Sequence, residues 1–205
     1  MENTSSNTKI VIADPNKEFR KQCASEMRKF DISVLAEAGD AEAQYTAAMM
    51  AMEGAVGLPD FDAAVKWLQK AAETGHPGAL YELGICRLNG EGMQPDAIDA
   101  VHLLESAADL GNVDAMLTLA SIWRGAKGVP ADAKKVLAWY KRAADAGSAY
   151  GWMHVGICAF NGEGTPTDRA YALECVKTAE RLGCSDAKML YRRMERYLEE
   201  NQDAE

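Results

Sequence analysis

The tetrapeptide NGEG at residues 89–92 returns at residues 161–164, a spacing of 72 residues. Half of that spacing is the true period. Gly39, Gly75, Gly111, Gly147 and Gly183 stand 36 residues apart, as do Asp60, Asp96, Asp132 and Asp168, and as do Ala71, Ala107, Ala143 and Ala179. Three independent columns sharing one register mark a tandem array built from one supersecondary unit.

The unit can be read from its residues. Each copy opens with a run rich in Ala, Leu and Met: AQYTAAMMAM, ALYELGICRL, AMLTLASIWR and GWMHVGICAF. A Gly/Pro loop such as NGEGMQP or GAKGVPA follows and cannot continue a helix. The recurring Asp then stands where a second helix starts, its carboxylate placed to accept from the free N–H groups of the first turn. A helix of about fourteen residues runs on from it, and the recurring Gly closes it in a left-handed conformation that a Cβ would penalise. The expected fold is therefore all-α. It is a right-handed α-solenoid of helix pairs, the handedness taken by analogy with other helical-pair repeats. Units are expected at 43–78, 79–114, 115–150 and 151–186, inside a repeat region of 39–186, with a capping helix over 187–205. That last stretch begins like a further first helix and then turns strongly charged.

These residues resemble the Sel-one-like repeat family, a relative of the tetratricopeptide repeats. The best-matched stretch is ALYELGICRLNGEGMQPD, with Ala79, Leu83, Gly84, Gly90, Gly92 and Asp96 in place. Trp67 and Trp139 fill a tryptophan column that Leu103 and Cys175 leave. An aromatic column of the first helix is kept by Trp123 alone, against Ala51, Arg87 and Ala159. The resemblance implies a scaffold or adaptor that binds other proteins rather than a catalyst. The paired cysteines of secreted, cysteine-rich relatives are missing.

A first helix must bury one face against its own second helix, and columns 1, 5 and 8 supply it, as in Ala79, Leu83 and Cys86 or Ala115, Leu119 and Ile122. Columns 3, 7 and 10 form a second, largely apolar stripe. In the first unit it holds Tyr45, Met49 and Met52, and in the second Tyr81, Ile85 and Leu88. The third contributes Leu117, Ser121 and Arg124, and the fourth Met153, Ile157 and Phe160. In related stacks this side lines the concave surface, so the twelve residues are the candidate partner-binding groove for a helix or peptide. Packing between units and cover by the chain's own N-terminal segment are the two other readings. Arg124 is the one basic member, which favours an apolar ligand face.

Upstream of the array the grammar changes. Residues 1–8 form a polar tail. Over residues 9–38, KIVIAD reads as a strand, KEFRKQCASEMRKF as a helix and ISVLAE as a second strand. This β-α-β order resembles the first third of a bacterial response-regulator receiver domain. Asp14 fills one of that family's two acidic places and Pro15 the other, and the third strand with its phosphoacceptor has no counterpart. The expected role is an N-terminal cap, and the alternative function is a signal-transduction component of phosphorelay type. The apolar residues Ile10, Ile12, Phe19, Met27, Phe30, Ile32 and Val34 need cover, either on the first unit around Tyr45, Met49 and Trp67 or in a homodimer.

Charge and composition bound the rest. The 205 residues carry 31 acidic and 22 basic side chains, net −9, which argues against a nucleic-acid partner. No apolar run is long enough to span a bilayer and no export signal is visible, so a soluble cytoplasmic protein is expected. The five cysteines show no metal-ligand spacing and should be thiols. His76, His102 and His154 fall in different columns and offer no i, i+4 pair. No catalytic residue, metal or cofactor is expected.

Overall fold

In the computed structural model, residues 32–55 and 58–201 are described, and every regular element among them is an α-helix. A short helix, α1 (Ile32–Glu37), precedes four helix pairs: α2 (Ala41–Glu53) with α3 (Phe61–Glu73), α4 (Pro77–Asn89) with α5 (Ala97–Asp109), α6 (Val113–Ile122) with α7 (Ala133–Asp145), and α8 (Ala149–Asn161) with α9 (Arg169–Arg181). Helix α10 (Ser185–Glu200) follows. Each helix packs chiefly on the one before it and the one after it, which is the contact pattern of a solenoid.

The caps follow the columns. At the second helices, Asp60 accepts from Ala63 N–H at 2.9 Å and Asp168 from Tyr171 N–H at 2.9 Å. Asp96 accepts from Ile98 and Asp99 at 3.0 and 3.1 Å, and Asp132 from Lys134 and Lys135 at the same distances. A parallel column caps the first helices: Asp40, His76, Asn112 and Ser148 each accept from the N–H three residues on. Gly39, Gly75, Gly111, Gly147 and Gly183 all carry φ between +78° and +96°, the left-handed region in which a β-carbon is penalised.

The core is a chain of linked clusters rather than one centre. Ala48 of α2, Ala64, Val65, Leu68 and Ala71 of α3, and Ala79, Leu83 and Cys86 of α4 make one of them. Every second helix is thus covered by the first helices on both sides. Column 6 is a place of close approach between helices: Ala48 and Ala120 are fully buried, and Gly84 and Gly156 take the same place in the other units. A Cβ at Gly156 would stand 2.7 Å from Val176 and 2.9 Å from the Ala172 carbonyl oxygen.

One expectation is overturned. ISVLAE is not a strand; it is α1. Its alternating Ile32 and Val34 suggest a pleat, but Ile32 and Ala36, one helical turn apart, are the two that bury, against Ala43 of α2. The buried Gln44 side chain fixes the end of this helix by donating to the Ala36 carbonyl at 3.0 Å. Packing thereby overrides a weak local strand preference. The repeat register reaches back as well, because Ile32 stands 36 residues before the buried Leu68. The β-α-β cap fails over this part, and the receiver reading loses its second strand with it. KIVIAD, the helix expected over 17–30 and Asp14 lie outside the described residues.

Candidate binding face

The stripe of columns 3, 7 and 10 lies along the row of first helices α2, α4, α6 and α8. Nearly all of its members are half-buried, with Met153 buried and Arg124 exposed. The half-burial has visible partners. Tyr45 stacks on His76 at the start of α4, ring centroids 4.7 Å apart, while the His76 Nε2 meets Glu42 at 3.0 Å. Tyr81, Ile85, Leu88 and Leu117 flank the cluster centred on Leu104 and Leu119. Ile157 and Phe160 flank the last cluster, and Phe160 meets Tyr197 of α10 edge-on at 5.5 Å. Met49 and Met52 lie on α2, with Met52 against the first cluster. The stripe therefore takes part in packing between units and leaves part of each side chain outside.

The row is interrupted at its third unit. Helix α6 ends at Ile122, whereas α4 and α8 each run on to an Asn three columns later. The reason is Gly125, φ +97°, which stands one column before Gly90 and Gly162 and turns the chain early. Arg124 consequently lies beyond the helix end. Its guanidinium sits 5.5 Å over the Tyr140 ring of α7 and 3.7 Å from the Glu163 carboxylate of the next unit's loop. Tyr140 also stacks nearly parallel on His154 of α8, centroids 4.5 Å apart. Burial, helped by the Arg124 charge, pushes His154 down from 6.5 to about 4, with Glu163 opposing. The ring is neutral at physiological pH, and its Nδ1 is buried without a partner.

Beside this bridge, α4 and α6 diverge to leave a small cleft. Ile85, Leu88 and Ile122 give it apolar walls, Ser121 and Lys127 stand at its edge, and Thr118 is at the bottom. Thr118 is 4% exposed and its hydroxyl makes no hydrogen bond. Lys127, a non-glycine residue at φ +55°, donates to Asn89 at 3.2 Å across the same gap.

Sequence reasoning placed Arg124 in the stripe, but not the stack that links it through Tyr140 to His154. The available signal was Tyr140 itself, an aromatic in a column that Leu68, Leu104 and Val176 otherwise keep aliphatic. The described cysteines, Cys86, Cys158, Cys175 and Cys184, are buried free thiols, and burial raises Cys86 to about 12. No group of His, Cys, Asp and Glu among the described residues is arranged to hold a metal.

A helix-pair array with left-handed glycine closures, Asp-capped second helices and small residues at close approaches restricts the family sharply. The Sel1 repeat model matches residues 41–76, 77–112, 113–148 and 153–184. This chain is a Sel1 repeat protein. Two solved structures agree with the assignment. A protective antigen present in uropathogenic Escherichia coli strains, displaying an SLR fold, is 30% identical, with a TM-score of 0.71 over 76% of this chain. A Sel1 repeat protein from Oxalobacter formigenes is 26% identical, with a TM-score of 0.70 over 80% of this chain. This Sel1 repeat chain spans only 33% and 47% of the lengths of those two proteins. A Sel1 repeat protein from Klebsiella pneumoniae, 20% identical with a TM-score of 0.53, shares the fold. No curated protein matches the sequence. Sel1 repeat proteins are in general protein-interaction scaffolds. No helix among the described residues is long and apolar enough to cross a membrane.

Proposed function

We propose that this protein is a non-catalytic scaffold that holds a helix or an extended peptide of a partner protein along the row formed by α2, α4, α6 and α8. The observation that carries this reading is the cleft between α4 and α6. Its apolar walls Ile85, Leu88 and Ile122 lie over the solvent-closed Thr118 hydroxyl and would take an apolar side chain of a partner, with Ser121 and Lys127 at the edge to meet polar groups. The exposed parts of Tyr81, Ile85, Leu88, Ile157 and Phe160 supply apolar contact to either side, and Arg124 supplies a cation midway. The same reading puts the protein in the cytoplasm, where the buried thiols stay reduced.

The test fills the cleft without removing a core side chain. Ser121→Arg places a long cationic side chain between α4 and α6 while leaving Ile85, Leu88 and Ile122 in place. Affinity purification from the native host should lose the partners that the wild type retains, with the helical signal and melting temperature of the variant near those of the wild type. Retention of the same partners by the folded variant would remove the groove from this account.

A further inference from the structure

Among the described residues, the N-terminal end of the array is unevenly covered. Within the array, a first helix such as α4 has the thirteen-residue second helix of the preceding unit alongside it. Among the described residues, helix α2 has beside it on that side the six residues of α1, about 9 Å of helix. Ile32 and Ala36 cover Ala43, and the second half of α2 is left facing an open cleft of about 380 Å³. Ala47, Met50 and Ala51 of α2 line it, with Ala63 and Trp67 of α3 opposite. Leu58 stands at its lip 91% exposed. This apolar face shares Trp67 with the one the sequence suggests, but Tyr45 is stacked on His76 of the next unit and does not line it.

We propose that residues 17–30 of the same chain, KEFRKQCASEMRKF, occupy this cleft as an amphipathic helix. Phe19, Cys23, Met27 and Phe30 follow an i, i+4, i+8, i+11 spacing and share one face. The segment carries Lys17, Arg20, Lys21, Arg28 and Lys29 against Glu18 and Glu26, whereas residues 32–205 hold 26 acidic and 16 basic side chains. Asp60 lines the cleft and is exposed, while Lys70 lies 4.3 Å over the Trp67 ring. The net charges of the segment and of the array are complementary. The segment also ends two residues from the cleft's own rim at Ile32, so its effective concentration there is of millimolar order and exceeds that of a second copy in solution. A straight extension of α1 does not achieve this cover, because at about 100° per residue Met27 and Phe30 fall on the side opposite Ile32 and Ala36. The proposal therefore places a turn at Asp31, a residue type suited to capping a following helix.

Hydrogen exchange read by mass spectrometry on the full chain tests the proposal. The triple variant Phe19→Glu/Met27→Glu/Phe30→Glu changes only the segment. It should raise exchange in the second half of α2 by about tenfold while α6 to α9 are unchanged. Met50→Glu, on the cleft wall, should in turn release residues 17–30 from protection. Unprotected exchange of 17–30 in the wild type, or an α2 indifferent to the triple variant, would overturn the proposal. Protection that grows with protein concentration, together with a dimer mass by light scattering, would assign the cleft to a second copy and overturn it equally.

Discussion

His154 is the residue at which the array departs most clearly from its own pattern. Column 4 of the first helix holds Thr46, Glu82 and Thr118 elsewhere, and only in the fourth unit is there a ring to stack on Tyr140. Burial disfavours its charged form, with a push from Arg124 against the pull of Glu163, so the folded protein takes up this proton near pH 4 and the unfolded chain near 6.5. The folded pKa is the lower of the two. Its contribution is therefore fully present above about 6.5 and is lost as pH falls toward 4. His154→Phe keeps a ring against Tyr140 and removes the titration. Over that window the wild type should lose up to roughly 3 kcal/mol more than the variant, measured by denaturant unfolding at the two ends. Parallel losses in both proteins would show that carboxylates elsewhere, and not His154, set the acid response.

At the scale of the element, the loops between paired helices do more than reverse the chain. Gly92, in the α4–α5 loop, has φ +66°, and a Cβ there would lie 2.4 Å from the carbonyl oxygen of Phe61, the first residue of α3. Gly164, φ +72°, meets Ala133 at the start of α7 in the same way. Each loop thus seats on the second helix of the unit before it, and only glycine satisfies both the backbone conformation and the approach. Gly92→Ala should destabilise by about 2 kcal/mol or more, lowering the melting temperature by roughly 5 °C. Gly128→Ala, with φ +79° and nothing within 4 Å, should cost less, since only the backbone term remains. Equal losses at the two sites would mean that the seat on Phe61 carries no energy.

For the whole molecule, neighbour-only packing makes stability a sum over adjacent helices. Leu104 is fully buried at the centre of the second unit, against Gly84 and the cluster shared with α6. Leu104→Ala should cost about 2–5 kcal/mol. The loss should stay local: hydrogen exchange ought to quicken in α4 to α6 and remain near wild type in α8 to α10. Uniform quickening across every helix would show that the array unfolds as one unit instead.

The period, the second-helix caps and the first-helix core belonged to the sequence. The reason is that each is local or repeated: Asp96 caps the N–H groups two and three residues on, and Ala79, Leu83 and Cys86 bury as Ala115, Leu119 and Ile122 do because their neighbours recur at the same offset. Four weak copies of one signal add to a strong one. What repeats nowhere else was decided in three dimensions. ISVLAE alternates like a strand, and only Ala43 and Gln44, brought against it by α2, make it a helix. Gly125, one column early, ends α6 a turn short and sends Arg124 to Tyr140 and Glu163. The stack of Tyr140 on His154 and, among the described residues, the cleft beside α2 join residues on different helices, and a local pattern holds no term for such pairs.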